Sequence, residues 1–198
     1  MNELIKLPAH AIRDLLQKRE INPAELLDAL EKRIEQVNPL VNAIPTQCFD
    51  RARDHAQKKD LSNLPLAGLP VAIKDLMAVE GVKTTFGSMA FERHVPDASD
   101  LLVQRIENAG GVIFSKTNTP EFGAGANTFN DVFGATVNPW NTRLSAAGSS
   151  GGSAVALATG MAWLATGSDL GGSLRNPASF CSVVGLRPSQ GRIPCDPG

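Results

Sequence analysis

The sequence predicts an α/β protein in which helices cover a β-sheet core. Three observations predict this fold: a charged first third with helical patterning, short apolar runs that alternate with helical patterns, and a small-residue stretch that still contains apolar residues. Alternation of strands with helices is typical of a sheet whose faces are covered by helices. With 198 residues and a hydrophobic fraction of 42%, the chain can supply a sizeable core.

Residues 1–60 are predicted to form an N-terminal helical segment of the same domain as the rest of the chain. A helix is predicted to start at Asn22, because Asn22 can cap it, Pro23 suits the first helical position and Glu25 can complete a capping box. Apolar residues then recur at helical spacing, namely Leu26, Leu27, Leu30, Ile34 and Val37. The pair Asn38–Pro39 is predicted to end this helix, and a second helix is predicted over Gln47–Lys59. We assign these helices a covering role and no chemistry.

Residues 61–198 are predicted to supply the strands. Leu69–Met77 is predicted to be a short buried strand, with Lys74 inside an otherwise apolar run. Ser99–Ala109 is predicted to be a helix that stops at Gly110–Gly111. Val112–Phe114 is predicted to be the next strand, which gives the alternation expected of an α/β protein.

The composition excludes several classes of function. The chain has 19 basic and 20 acidic residues, a net charge of −1 and no basic run, so no direct nucleic-acid partner is expected. It has neither an apolar stretch of about 18 residues nor the apolar block of a signal peptide, so no membrane span or export is expected. Cys48, Cys181 and Cys195 form no C-x-x-C pair, which argues against a disulfide framework or a zinc site. A cytoplasmic protein without metal or cofactor is therefore expected.

Two clusters rich in glycine and serine, residues 148–153 and 167–175, flank a helix predicted over Gly152–Thr159 and a short apolar strand. Tight turns are one interpretation, because glycine supplies positive φ and serine satisfies local backbone groups. Phosphate binding is a second, but the G-x-x-x-x-G-K-[ST] pattern is absent. A third is a G-x-S-x-G elbow centred on Ser150. It requires a later histidine, whereas His10, His55 and His94 all precede it.

A fourth interpretation is a serine nucleophile that uses lysine as its base. A serine hydroxyl attacks poorly unless a base takes its proton, and a desolvated lysine can be that base. Lys74, in the apolar run Val71–Leu76, has the sequence setting of a buried lysine. The alternative is an ordinary ion pair of Lys74 with Asp75 or Asp169, and it is favoured when Lys74 is considered without the two clusters.

The combined motifs resemble the amidase signature family of serine amidohydrolases. The resemblance rests on Gly-Ser-Ser-Gly-Gly-Ser at 148–153, Gly-Ser-Asp-Leu-Gly-Gly-Ser-Leu-Arg at 167–175 and Cys-Ser-Val-Val-Gly-Leu-Arg-Pro at 181–188. Upstream, Gly-Leu-Pro-Val-Ala-Ile-Lys-Asp at 68–75, Lys-Thr-Asn-Thr-Pro-Glu-Phe at 116–122 and Asn-Pro-Trp at 138–140 agree with it. It implies the amidase signature fold, with a mixed β-sheet core, and makes residues 61–198 the N-terminal portion of the catalytic domain.

The resemblance also implies a Ser–cis-Ser–Lys triad. Carried over by motif, the nucleophile falls on Ser173, the bridging serine on Ser149 and the base on Lys74. The cis peptide bond falls between Gly148 and Ser149. One departure from the family pattern is visible, because Ala147 stands where a second glycine is expected before Ser149.

Further residues receive roles from the same resemblance. The turn before the nucleophile is implied to bind the oxyanion through the backbone N–H groups of Leu170, Gly171, Gly172 and Ser173. Gly123, in the loop after Glu121–Phe122, is implied to line the substrate site. A supporting role, with plain structural support as an equally good interpretation, falls on Ser150, Ser168, Asp169 and Arg175.

The predicted function is hydrolysis of a small-molecule carboxylic amide to an acid plus ammonia or an amine, through a Ser173 acyl-enzyme. The amidase subunit of a glutamine-dependent tRNA amidotransferase is a close alternative, although Thr119–Asn127 looks more like a general amidase. A non-catalytic truncated fragment is the alternative from another class.

The family's members are more than twice as long as this chain, so we expect a fold that is incomplete at the C-terminus. The alternatives are a truncated chain, a partial gene product or one piece of a split enzyme. The chain alone is expected to be poorly active or unstable, because a large apolar face would lie uncovered. Its partner is then either the missing C-terminal half or, in a homodimer, a second copy.

Overall fold

The computed structural model describes residues 3–58 and 60–193. Its helices are α1 (Ala9–Gln17), α2 (Pro23–Val41), α3 (Phe49–Lys58), α4 (Leu101–Asn108), α5 (Gly151–Ala158) and α6 (Arg175–Cys181). Its strands are β1 (Thr46–Gln47), β2 (Pro70–Lys74), β3 (Val112–Thr117), β4 (Phe129–Asn130), β5 (Gly134–Ala135) and β6 (Leu164–Ala165). Short 3₁₀ helices cover Glu3–Lys6, Met89–Phe91 and Glu121–Gly123.

A four-stranded sheet in the order β1–β3–β2–β6 forms the centre of the fold. Strand β2 runs parallel to both β3 and β6, whereas β1 is antiparallel to β3. Strands β4 and β5 pair with each other in a separate antiparallel ladder. The mixed sheet with its covering helices confirms the predicted α/β fold class.

The start of α2 is the predicted one and its end is not. Both hydrogen bonds of the capping box form, from the Glu25 backbone N–H to the Asn22 side chain and from the Asn22 N–H to the Glu25 carboxylate. The predicted end at Asn38–Pro39 is wrong, since the helix continues through Pro39 to Val41. Proline removes its own N–H donor and its ring crowds the carbonyl one turn earlier. Only two helical residues follow Pro39, and the last turn still closes because the Asn42 N–H donates to the Asn38 carbonyl at 2.7 Å.

The second predicted helix begins later than expected. Thr46 and Gln47 are paired with β3, so α3 starts only at Phe49. The predicted terminal residue, Lys59, lies outside the described residues. Helix α4 falls within the predicted Ser99–Ala109 and stops before the two glycines, and α5 lies within one residue of its predicted bounds.

Strand β2 is shorter than the predicted Leu69–Met77, because the chain turns after Lys74. Strand β3 is longer than Val112–Phe114, because it gains partners on both sides. Its register with β2 shifts by one residue, so that Val71 faces Ile113 but Ala72 faces Ser115. Since side chains alternate along a strand, this bulge puts Lys116 on the same face as Ile73 and Thr117 on the same face as Lys74.

Apolar clusters cover both faces of the sheet. On one face, helices α2, α3 and α5 pack over Ala72, Val112 and Phe114. On the other, Val71, Ile73 and Ile113 pack with Val103 of α4 and with Val79 and Val82 from the segment after β2. The carboxyl end of β2 therefore emerges between two packed layers, and this is the place where Lys74 lies.

Candidate active site

Lys74 is the last residue of strand β2, and its side chain lies in the interior of the protein. All five residues of the strand are buried, and the Lys74 side chain has 0% of its surface exposed. The Lys74 backbone N–H donates to Thr166 Oγ1 at 2.8 Å, which fastens the end of the strand to the segment after β6. Ligand sites of open parallel sheets lie beyond the carboxyl ends of the strands, so this position suits a functional residue.

Ser149 is brought to the same place by the loop before α5. The peptide bond between Gly148 and Ser149 is cis, where the resemblance placed it. Gly148 has no room for a side chain, because a Cβ there would lie 2.9 Å from the Asn127 backbone. Ala147 has a φ of +59°, the left-handed region that favours glycine, which accounts for the glycine expected at that position.

The Lys74 ammonium group meets three hydroxyl groups. Its Nζ lies 2.7 Å from Ser149 Oγ, 2.9 Å from Ser150 Oγ and 2.9 Å from Ser168 Oγ. Ser149 and Ser150 are themselves buried, at 1% and 3% exposure. The structure thus joins Lys74 to both glycine- and serine-rich clusters, across 75 and 94 residues of sequence.

Burial shifts the acid–base behaviour of Lys74. Loss of solvation lowers the pKa of its ammonium group to about 7, while the negative charge of Asp169 acts in the opposite direction. A lysine with a pKa near 7 is available as a neutral base at ordinary pH. The alternative of an ion pair between Lys74 and Asp75 or Asp169 does not form, since the Asp75 carboxylate binds Lys116 at 2.8 Å and that of Asp169 binds Arg175 at 2.9 Å.

Ser173 lies on the turn between β6 and α6, next to this lysine pocket. Its carbonyl accepts a hydrogen bond from the Ser150 N–H at 3.0 Å, which ties the turn to the Ser149–Ser150 pair. Its side chain is half-buried, and among the described residues its hydroxyl has no hydrogen-bond partner. The hydroxyl is therefore available for reaction.

Asp169 organises that turn. Its carboxylate, with 2% of the side chain exposed, accepts from the backbone N–H groups of Gly172, Leu174 and Arg175 at 2.8, 3.3 and 3.2 Å. The Arg175 guanidinium donates to both oxygens at 2.9 and 3.0 Å, and Arg187 lies 3.5 Å away. The Arg175 guanidinium and these N–H groups hold the pKa of Asp169 well below its usual range.

The four N–H groups predicted to bind an oxyanion are not equivalent in this structure. That of Gly172 is engaged by Asp169. Those of Leu170, Gly171 and Ser173 donate no hydrogen bond within residues 3–58 and 60–193. Gly172 has a φ of +108°, a conformation that side chains rarely adopt, so a glycine is required for this turn.

Gly123 lies apart from the lysine pocket, in the 3₁₀ helix Glu121–Gly123. Its φ is +69°, and a Cβ there would clash with Leu76 Cδ1, two residues after Lys74. The preceding Phe122 is 56% exposed and packs edge-on against Phe91. The structure connects Gly123 to the chain that leaves β2, and gives it no contact with the three serines.

Sequence reasoning missed a set of hydroxyl groups that support the pocket. Thr117 and Ser153 share a hydrogen bond of 2.6 Å, and Ser153 donates to the Thr166 carbonyl at 2.8 Å. Thr128 accepts from the Gly151 N–H and donates to the Ala147 carbonyl, which holds the loop around Ser149. Thr117 ends β3 and Thr166 follows β6, which was the available signal, but only the fold brings these residues together with Ser153 of α5.

Apolar surface adjoins the pocket. Leu170, in the Ser173 turn, is 99% exposed, and Val184 is 93% exposed. A cavity of about 500 Å³ extends from Ser150 and Gly167 to an apolar wall that includes Trp163. Lys74, Ser149 and Ser173 do not line this cavity, so it lies beside the lysine pocket and is separate from it. Among the described residues, no group of three or more His, Cys, Asp or Glu side chains is arranged to hold a metal ion. No helix in the described ranges is both long and apolar enough to cross a membrane.

A sequence model of the amidase family matches residues 25–198, so this chain belongs to the amidase family. Two curated relatives, each 46% identical, are named as a subunit of glutamyl-tRNA(Gln) amidotransferase: one from Synechococcus sp. over 189 residues, and one from Halothermothrix orenii over 191. They match 92% and 96% of this chain. The chain spans 38% and 40% of their length.

Solved structures of the family share the fold described above. A 6-aminohexanoate cyclic dimer hydrolase complexed with substrate superposes with a TM-score of 0.91 at 38% identity, over 98% of this chain and 40% of that one. A bacterial aryl acylamidase of the amidase signature enzymes gives 0.89 at 32% identity, over 96% and 41%. The family resemblance predicted from the sequence is thereby confirmed.

Proposed function

We propose that this chain carries the nucleophile and the proton relay of an amidohydrolase that converts a carboxylic amide to an acid plus ammonia or an amine. The observation that carries the proposal is the 2.7 Å contact between Lys74 Nζ and Ser149 Oγ, in a buried pocket beside the free hydroxyl of Ser173. Because the chain spans about 40% of its relatives' length, the whole protein's activity and substrate are part of the proposal.

The first step uses the three residues in series. Neutral Lys74 takes the Ser149 proton, Ser149 takes the Ser173 proton, and Ser173 Oγ bonds to the amide carbonyl carbon. The carbonyl electron pair moves onto oxygen, and the N–H groups of Leu170, Gly171 and Ser173, which donate to no group among the described residues, bind the resulting oxyanion. Each such donor can stabilise a transition state by roughly 2.7–4 kcal/mol.

The second step returns the proton and releases the acid. Protonated Lys74 passes its proton through Ser149 to the nitrogen of the leaving amine, so the C–N bond breaks without expelling an unprotonated amide ion. Water then attacks the Ser173 ester and gives a proton to the same relay, and the relay returns that proton to Ser173 Oγ as the bond from Ser173 to the acyl carbon breaks and the acid leaves. Lys74 ends as it began, neutral and bonded to the hydroxyl groups around it.

A second candidate is the amidase subunit of a tRNA amidotransferase. The two curated relatives at 46% identity are named as a subunit of such an enzyme, whereas the hydrolase structures are 38% and 32% identical. The same Ser173 chemistry would then release ammonia from a glutamine side chain for a partner subunit. Copurification of that partner favours this candidate, and turnover of simple amides without it favours the first.

A fluorophosphonate probe tests for a reactive nucleophile. Labelling of the wild-type protein that is lost in Ser173→Ala supports the proposal. The matched control is Ser179→Ala, which removes an exposed serine of α6 with no side-chain hydrogen bond among the described residues, and it should label like wild type. A folded wild-type protein that takes no label, or a Ser173→Ala variant that still does, would refute the assignment and favour a non-catalytic fragment.

A further inference from the structure

The three hydroxyl groups around Lys74 cannot all play the same part. A protonated lysine donates three hydrogen bonds and accepts none. The neutral form, which the proposed relay requires, has only two N–H bonds and one lone pair. Of Ser149, Ser150 and Ser168, which all lie within 2.9 Å of Nζ, two must then accept from Lys74 and one must donate to it.

The hydrogen of Ser150 is already committed elsewhere. Its hydroxyl donates to the Ser168 carbonyl at 3.3 Å, and a carbonyl oxygen can only accept. It also accepts from the Ser168 N–H at 3.3 Å. Since a hydroxyl has one hydrogen, Ser150 can face Lys74 only as an acceptor, and one N–H of Lys74 is fixed on Ser150.

The second N–H must go to Ser168 or to Ser149. Ser168 Oγ has no other partner among residues 3–58 and 60–193, so its hydroxyl is free to turn its lone pair toward Lys74. If Ser168 accepts the second N–H, the single lone pair of neutral Lys74 faces Ser149. Ser149 can then donate its proton to Lys74 and accept one from Ser173.

We propose that Ser150 and Ser168 are positioning residues that hold the two N–H bonds of neutral Lys74 and thereby aim its lone pair at Ser149. This inference rests on the proposed function, and it gives the relay its direction. It also assigns a part to the serine at the centre of the G-x-S-x-G pattern. Ser150 is buried and bonded through both its hydroxyl and its backbone N–H, so it orients the base instead of attacking the substrate.

The test compares Ser150→Ala, Ser168→Ala and Ser168→Thr with wild type. The rate constant for fluorophosphonate labelling of Ser173 is measured from about pH 5 to about pH 10, across the titration of Lys74. At high pH Lys74 is neutral in every variant, so only its orientation differs. Both alanine variants should label at least about tenfold more slowly on this plateau, whereas Ser168→Thr, which keeps the hydroxyl, should label like wild type. An alanine variant with an unchanged plateau overturns the proposal.

A second readout does not depend on reactivity at Ser173. The Lys74 pKa is measured by NMR from the ¹³Cε shift of labelled lysine. Because each alanine variant removes an acceptor from the charged form, the pKa should fall by about one unit. A slower plateau with an unshifted Lys74 pKa indicates general structural damage and overturns the proposal. If the alanine variants lower the Lys74 pKa but the wild-type protein takes no label, the arrangement around the lysine is supported and the proposed function is refuted. Ser168 is only half-buried, so its alanine variant remains informative where Ser150→Ala is unstable.

Discussion

Two buried lysines stand on neighbouring strands and have opposite surroundings. Lys74 ends β2 and Lys116 lies near the end of β3, and each has 0% of its surface exposed. The register pairs Lys116 with Ile73 and Lys74 with Thr117, so the two side chains lie on opposite faces of the sheet. Lys116 binds a carboxylate, Asp75 Oδ1, at 2.8 Å, whereas Lys74 meets only serine hydroxyls.

The difference shows what decides the role of a buried lysine. Lys116 also donates to the Met77 carbonyl and to Thr84 Oγ1, both at 2.8 Å, so its three hydrogens all have acceptors and its charge has a partner. Burial lowers its pKa, and Asp75 opposes that shift. Desolvation is the larger effect on the pKa of both lysines, but Lys74 has no carboxylate in contact with it, and only the charge of Asp169 opposes the lowering there. The partner, not the burial, separates a structural ion pair from a candidate base.

Replacing each lysine by methionine should separate the two roles most sharply. Lys74→Met removes the base, so labelling of Ser173 should slow by about 10³-fold, within the range of general-base effects. In Lys116→Met the folded fraction keeps its base and should label at close to the wild-type rate. Rate constants are determined at a temperature where circular dichroism shows both variants folded. Equal losses of labelling rate in the two variants would contradict the assignment of different roles to Lys74 and Lys116.

Stability should respond in the reverse order. Lys116→Met leaves the Asp75 carboxylate buried without its cation, which should lower the free energy of unfolding by about 3 kcal/mol or more. Urea denaturation measures the change. The double variant Asp75→Asn/Lys116→Met removes both charges and should recover most of the loss. A double variant as unstable as the single one would show that the ion pair is not the cause.

The free energy of unfolding should depend on pH in a way that reflects the lowered pKa of Lys74. Its pKa is about 7 in the folded protein and about 10.4 when unfolded. Between these values the unfolded chain binds a proton that the folded chain does not, so stability rises with pH. The difference in unfolding free energy between wild type and Lys74→Met should therefore be flat below pH 7. It should then rise by about 1 kcal/mol per pH unit up to about pH 10. A flat difference throughout would mean that Lys74 keeps an ordinary pKa.

Much of the fold could be predicted from local sequence. The capping box at Asn22, the helix before Gly110–Gly111 and the apolar run of β2 are each encoded within a few residues. Local sequence could not predict the two-residue strand at Thr46–Gln47 or the register shift in β3, because both depend on pairing with residues that are distant in the sequence. Pro39 misled the prediction because only two helical residues follow it, and the last turn closes through the Asn42 N–H.

The site was predictable as a set of residues and not as an arrangement. The family motifs placed Lys74, Ser149 and the cis peptide bond, but no spacing rule indicates that residues 75 apart meet at 2.7 Å. The alternative ion pair of Lys74 with Asp75 is disfavoured already by the predicted strand Leu69–Met77, since adjacent residues of a strand point to opposite faces. Lys116, the actual partner of Asp75, lies 41 residues away and no local pattern predicts the pair.

The titration of Lys74 itself decides whether this lysine can serve as the base. With ¹³C-labelled lysine, the Cε shift can be followed by NMR against pH in the folded protein, and Lys74→Met identifies the signal. We predict a midpoint near 7, far below the exposed lysines near 10.4. A Lys74 signal that titrates together with the exposed lysines would contradict the proposed relay, because a lysine that stays protonated at neutral pH cannot accept the proton from Ser149.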